Sequence, residues 1–125
     1  GREVRRRILL GTYVLSHGYY DAYYGKAIKV RDAITKEMKE SFNDVDFIVT
    51  PTTPTLPFKF GEKMSNPIAM YMSDIFSAPA NLSGCPAIAL PSDKEGNFYH
   101  SIQITAPWWG EDHLFTISKA WESRQ

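Results

Sequence analysis

The sequence predicts an α/β fold with its elements in the order α-α-β-α-α-β-β-α, and three observations lead there. Two apolar stripes at helical spacing occupy the chain up to Phe42. The run Val45-Asp46-Phe47-Ile48-Val49 then reads as a buried strand that ends in prolines. Near the carboxyl end, Ala87-Ile88-Ala89-Leu90 and Phe98 to Ile104 flank a polar turn, as a hairpin does.

Taken in order, the first helix is expected from Arg2 to Ser16, with Val4, Ile8, Gly11 and Leu15 on one face, Gly11 admitting a close neighbour and His17-Gly18 closing it. The second runs from Tyr19 to Phe42, its stripe made by Tyr20, Tyr23, Ala27, Val30, Ile34, Met38 and Phe42. Asp32 and Lys36 are spaced for an i, i+4 ion pair on the solvated face. Four phenols within Tyr19 to Tyr24 are read as packing groups with a few wet hydroxyls, ahead of a binding platform.

The strand at Val45 is apolar enough to be covered on both faces, as in parallel sheets. Pro51, Pro54 and Pro57 lack the N–H a ladder needs, so Thr50 to Pro57 is expected to leave the sheet as a stiff, threonine-lined loop. That loop is either a rigid connector or a wall of a ligand site beyond the carboxyl end of the strand. Gly61 to Ser65 reads as a turn, and Asn66-Pro67 as an N-cap followed by proline at the first helical position. Ile68, Tyr71, Met72 and Ile75 are expected to form the buried face of that helix. Asp74 falls near its carboxyl end, where a carboxylate opposes the helix dipole at about 0.3–1 kcal/mol unless a cation is near. It is either a solvated aspartate or a functional one.

Ser77 to Gly84 is rich in small residues and predicts a compact helical turn packed closely on another backbone. In the hairpin, Phe98, His100, Ile102 and Ile104 alternate with Tyr99, Ser101, Gln103 and Thr105, which leaves Gln103 facing a site or water. After Pro107-Trp108-Trp109-Gly110, Glu111 and Asp112 open a last helix to Ser123 with Leu114, Ile117 and Trp121 inward.

Composition narrows the function. The 125 residues suffice for one domain, and 14 basic side chains balance 14 acidic ones, so no global field gathers nucleic acid or anionic membrane. Arg5-Arg6-Arg7 is too short to count as a nucleic-acid stripe. The lone Cys85 excludes an internal disulfide framework and favours a reducing, cytoplasmic setting. No apolar run is long enough to span a bilayer and no leader is evident, so a soluble, unexported protein is expected. The start at Gly1 without a methionine suggests a piece of something longer. No nucleophile elbow, phosphate loop or zinc motif is present. His17, His100 and His113 are scattered and read as structural or exposed, which predicts no metal site, and Cys85 reads as a buried, inert thiol.

Five segments carry a resemblance: Arg6-Arg7-Ile8-Leu9-Leu10-Gly11-Thr12, Gly18-Tyr19-Tyr20-Asp21-Ala22-Tyr23-Tyr24, Pro51-Thr52-Thr53-Pro54-Thr55, Asp74-Ile75-Phe76 and Pro79 to Pro86. In this order they resemble the carboxyl-terminal portion of the amidase signature family, in particular the A subunits of glutamyl-tRNA(Gln) amidotransferases. The resemblance implies a single unit over residues 1–125, a helical pair at 2–43 and a mixed β-sheet covered by helices at 45–125. It departs from the family pattern at His100 to Ala106, where glycines are usual.

What the resemblance further implies is a glutaminase. A serine attacks the side-chain amide of glutamine, and the ammonia is passed on to amidate Glu-tRNA(Gln). The Ser, cis-Ser, Lys triad of the family is not among these residues, so this stretch is expected to be inactive alone and to form the substrate side of the site. Free glutamine is a zwitterion and needs a cation for its carboxylate and an anion for its ammonium. By the resemblance these are Arg7 and Asp74, with Arg7 itself a candidate neighbour for the Asp74 carboxylate. The expected partners are glutamine, subunits B and C, and tRNA through the complex. ATP and Mg are used by a partner in that complex, with no cofactor in this chain. A stand-alone amidase and a non-catalytic interaction module are the alternatives. Alone, the chain is expected to leave large apolar patches exposed and to self-associate.

Overall fold

A computed structural model describes residues 1–16, 18–63 and 66–124, with the side chain of Pro67 also outside the description. His17 and the end of the turn expected at Gly61 to Ser65 therefore lie outside the described residues. The elements are α1 (Arg2–Val14), a π-helical turn (Tyr20–Tyr24), α2 (Gly25–Ser41), β1 (Ile48–Pro51), α3 (Pro67–Tyr71), a 3-10 turn (Met72–Asp74), α4 (Ala78–Ser83), β2 (Ala87–Glu95), β3 (Phe98–Thr105) and α5 (Glu111–Glu122). The order of helices and strands is the one the sequence predicts.

The sheet is antiparallel, in the order β1-β3-β2. This corrects the parallel, doubly covered strand expected at Val45. β1 is a short edge strand whose side chains alternate between half-buried and exposed, with Val49 turned outward. Its apolar run is continuous for a different reason: Phe47, just ahead of the strand, packs against the main core. Pairing continues to Pro51 opposite Ile102, and the Thr52 N–H still reaches the Ser101 carbonyl at 3.0 Å. An edge position tolerates this proline.

The strand covered on both sides is β3. Thr50 and Ala89 flank Gln103 in register, and Ile88 flanks Ile104, so the two faces of the sheet have opposite character. On the apolar face Ile88, Leu90, Ile102 and Ile104 meet Leu114, Ile117 and Trp121 of α5. Each fully buried aliphatic side chain there stabilises the fold by about 1.5–3 kcal/mol. The Trp121 indole N–H also donates to the Pro91 carbonyl at 2.8 Å, which ties α5 to β2. On the other face Gln103 is buried and donates through Nε2 to the Phe76 carbonyl at 3.0 Å, facing neither a cleft nor water. The hairpin turn is tighter than Ser92 to Asn97. β2 continues past an irregularity between Pro91 and Lys94, and only Gly96 and Asn97 join Glu95 to Phe98. Gly96, at φ 59°, supplies the positive dihedral that a two-residue hairpin loop requires.

The helices depart from expectation wherever their period changes. The π-helical turn precedes α2 and shifts the stripe, so Ile28, Ile34, Met38 and Phe42 are half-buried while Tyr20, Tyr23, Ala27 and Val30 are exposed. Lys36 pairs with Glu40 at 3.7 Å rather than with Asp32, whose carboxylate lies 4.0 Å from Arg31. No residue of α1 is buried, and the space beside Gly11 is open rather than filled by a neighbour. In the next helix the Asn66 side chain accepts from the Ala69 N–H at 3.1 Å, the expected cap. The buried face expected after it does not form, because α3 is five residues long and passes into the 3-10 turn. Three residues per turn replace 3.6, the stripe breaks, and Ile68, Tyr71, Met72 and Ile75 all face outward. Ala69, Ser73 and Phe76 are the half-buried residues among those described there. In α4, Ala80 and Ser83 are buried, and α4 packs against α2 as its small residues predict.

Candidate functional site

Two clefts flank the segment that leads into α3. The first, about 650 Å³, lies between the proline loop and the start of β3 and is lined by Thr50, Thr53, Pro54, Phe58, Ser73 and His100, among others. The hydroxyls of Thr50 and Thr52 are buried and have no hydrogen-bond partner among the described residues. The loop thus lines a cleft beside the sheet. The second cleft, about 1270 Å³, lies between α1 and α3. Its lining brings Arg2, Arg5, Arg6 and Lys63 together with Tyr71, and Glu3 is its one acidic side chain among the described residues.

Arg7 and Asp74 lie on different elements, α1 and the 3-10 turn, and neither lines either cleft itself. The Arg7 guanidinium stands over the Tyr71 ring, 5.4 Å from its centroid, and donates through Nε to Glu3 at 3.1 Å. Asp74 is exposed at the end of the 3-10 turn, three residues beyond Tyr71, and its main-chain carbonyl accepts from the Ser77 hydroxyl at 3.0 Å. Arg7 does not pair with Asp74: the ion-pair partner the structure gives it is Glu3, one helical turn back, where sequence spacing alone permits the contact.

Side-chain contacts in this region go beyond those the sequence predicts. Lys63 donates through Nζ to the Ser73 hydroxyl at 2.8 Å, across ten residues, and lies 4.1 Å from the centroid of the Phe58 ring. Tyr71 was expected to point into a core and instead supports Arg7. The tyrosine run forms an exposed stack with α1, with ring centroids 4.4 Å apart for Tyr13 and Tyr19 and 6.0 Å apart for Tyr19 and Tyr23. The hydrogen bond with Tyr19, with lesser help from desolvation and the Tyr23 charge, holds the Tyr13 phenol above its ordinary range. Cys85 is buried, as expected. Among the described residues no three metal-ligating side chains cluster, and no helix is long and apolar enough to cross a membrane.

Residues 1–115 match the family described as Amidase. The chain belongs to the amidase family. It is 50% identical over 122 residues to the A subunit of the Carboxydothermus hydrogenoformans glutamyl-tRNA(Gln) amidotransferase, covering 98% of this chain and 25% of that protein. It is 46% identical over 125 residues to the protein of the same name from Nocardia farcinica, covering 98% of this chain and 26% of that protein. The fold is similar to the crystal structure of the A subunit of the Thermotoga maritima glutamyl-tRNA(Gln) amidotransferase, with a TM-score of 0.67 and 46% identity over 86% of this chain and 24% of that one. This amidase-family chain thus spans about a quarter of the length of the relatives it matches.

Proposed function

We propose that this chain is the carboxyl-terminal, substrate-side part of the glutaminase subunit of a tRNA-dependent amidotransferase. The observation that carries this reading is near-complete coverage of the chain, at 46–50% identity, by relatives named for that subunit. Arg7 and Asp74 supply the two opposite charges that a zwitterionic amino acid requires. Arg7 receives the α-carboxylate, since a guanidinium fork pairs with it bidentately, and with Nε given to Glu3 its terminal nitrogens remain for that purpose. Asp74 receives the α-ammonium. The side-chain amide then points to a serine nucleophile, which with its cis-Ser and Lys partners belongs to the preceding part of the parent protein.

On this reading the present chain is inactive alone and binds while the rest of the parent performs the chemistry. The ammonia released goes to partner subunits B and C, where Glu-tRNA(Gln) is amidated with ATP and Mg, in the cytoplasm. Arg7→Ala and Asp74→Ala in the complete amidotransferase should each weaken glutamine binding by about 1.5–3 kcal/mol, as for a hydrogen bond to a charged group. Ammonium chloride as the nitrogen donor bypasses the glutamine pocket and should restore the rate. Equal losses with both donors would point to general misfolding and sink the assignment.

A further inference from the structure

Lys63 connects three pieces of chain that sequence alone leaves separate. Its ammonium lies over the Phe58 ring at the end of the proline loop, its own backbone belongs to the turn after Gly61, and its Nζ donates to Ser73. Lys63 lines the cleft between α1 and α3, whereas Ser73 lines the cleft of the proline loop, so the pair stands in the wall between them. The same turn is fastened by the Glu62 carboxylate, which accepts the Lys59 N–H at 2.9 Å. No carboxylate pairs with Lys63 among the described residues, and its hydrogen bond to Ser73 is part-buried.

Ser73 is the residue before Asp74 and the middle residue of the 3-10 turn. Its hydroxyl accepts from Lys63 and donates to the Ala69 carbonyl at 3.2 Å, one turn back in α3. The proton is therefore committed to the helix, which makes the pair a clamp rather than a nucleophile and its base. The clamp acts where the chain tightens from α-helix to 3-10 turn, so it bears on the backbone from which the next side chain projects. That next side chain is Asp74.

We propose that Lys63 is a positioning residue for glutamine recognition: through Ser73 it sets the 3-10 turn against the proline loop and so aims the Asp74 carboxylate. The inference rests on the reading of Asp74 given above and names the group that holds it in place. It also assigns the cation–π contact a purpose, since the Phe58 ring holds the ammonium where it donates to Ser73.

The test uses the complete amidotransferase with four variants: Lys63→Met, Lys63→Arg, Ser73→Ala and Asp74→Asn. Lys63→Met keeps the aliphatic stem and should raise KM for glutamine about tenfold with kcat within about twofold, the pattern of lost binding rather than lost chemistry. Ser73→Ala should raise KM by about threefold to tenfold. Lys63→Arg, which can both donate to Ser73 and stack on Phe58, should restore KM to within about threefold. The ammonium-supported rate should be unchanged in Lys63→Met, Lys63→Arg and Ser73→Ala. If Asp74→Asn raises KM and Lys63→Met does not, the positioning role falls while the reading of Asp74 survives. If Asp74→Asn leaves KM unchanged, both fall. Equal loss with glutamine and ammonium in Lys63→Met would reduce Lys63 to general structural support and overturn the proposal.

Discussion

Gln103 and Phe76 are joined by a hydrogen bond of 3.0 Å that runs from the side-chain amide of the central strand to a main-chain carbonyl 27 residues earlier. It couples the sheet to the segment that carries Asp74 on one side and α4 on the other. Gln103 is 8% exposed, so water cannot readily replace the bond. Gln103→Leu, nearly isosteric but without a donor, should lower stability by about 1–3 kcal/mol, because the Phe76 carbonyl loses its partner in a buried setting. Equilibrium denaturation measures it, and a change below about 0.5 kcal/mol would show that the carbonyl finds another donor.

How much of this was legible in the sequence follows from which signals are local. The order of elements, the Asn66 cap, the small-residue helix and the inward face of α5 depend on period and capping within a few residues, and all stand in the structure. The antiparallel hairpin of β2 and β3 was legible, but the antiparallel pairing of β1 was not, since four or five apolar residues fit either pairing and only the partner strand decides. Helical stripes failed at Tyr20–Tyr24 and Met72–Asp74, where π and 3-10 geometry replace the α-helical period. Arg7 and Asp74 were named through family resemblance, since neither has a local signal stronger than a misplaced charge. Lys63 had none, because its contacts depend on how Phe58 and the 3-10 turn are placed around it by the fold.

The turn before α5 offers a sharp contrast between adjacent residues. A Cβ on Gly110 would stand 2.8 Å from the Pro107 carbonyl oxygen and 3.0 Å from the Ala106 Cβ, and backbone cannot yield cheaply. Gly110→Ala should therefore cost about 1–3 kcal/mol. Trp109 is the opposite case, 91% exposed and held at φ 66°, a left-handed conformation that bulky side chains avoid. Trp109→Gly loses little buried surface and relieves that strain, so the change should stay within about 1 kcal/mol in either direction. Thermal unfolding of the two variants side by side checks both, and a larger loss for the tryptophan would contradict this packing.

The isolated 125-residue chain should self-associate. Val4, Ile8, Leu9 and Leu10 of α1 are each more than half exposed, as are Ile68 of α3 and Phe60. Such a surface exceeds what soluble monomers ordinarily leave open. Light scattering should report dimers or larger species at micromolar concentration, together with strong binding of a dye that fluoresces on apolar surface. A monodisperse monomer with weak dye binding would mean that these faces find cover within the chain.

On the proposed reading of Arg7 as the carboxylate site, Tyr71 should matter to glutamine through its ring and not its hydroxyl. The Arg7 guanidinium lies 5.4 Å from the ring centroid, and the only other charge fixing it among the described residues is Glu3, itself exposed on the same helix. An exposed i, i+4 pair contributes little, about 0.3–0.5 kcal/mol, so the aromatic face supplies a comparable or larger share of the orientation. Tyr71→Phe keeps that face and should leave KM for glutamine within about twofold in the complete amidotransferase. Tyr71→Ala removes it, and a loss of about 0.5–1 kcal/mol corresponds to roughly a twofold to fivefold rise in KM with kcat little changed. With ammonium as donor the two variants should be indistinguishable from the unaltered enzyme. A rise in KM as large for Tyr71→Phe as for Tyr71→Ala would instead assign the effect to the phenol hydroxyl and remove the ring from the account of how Arg7 is held.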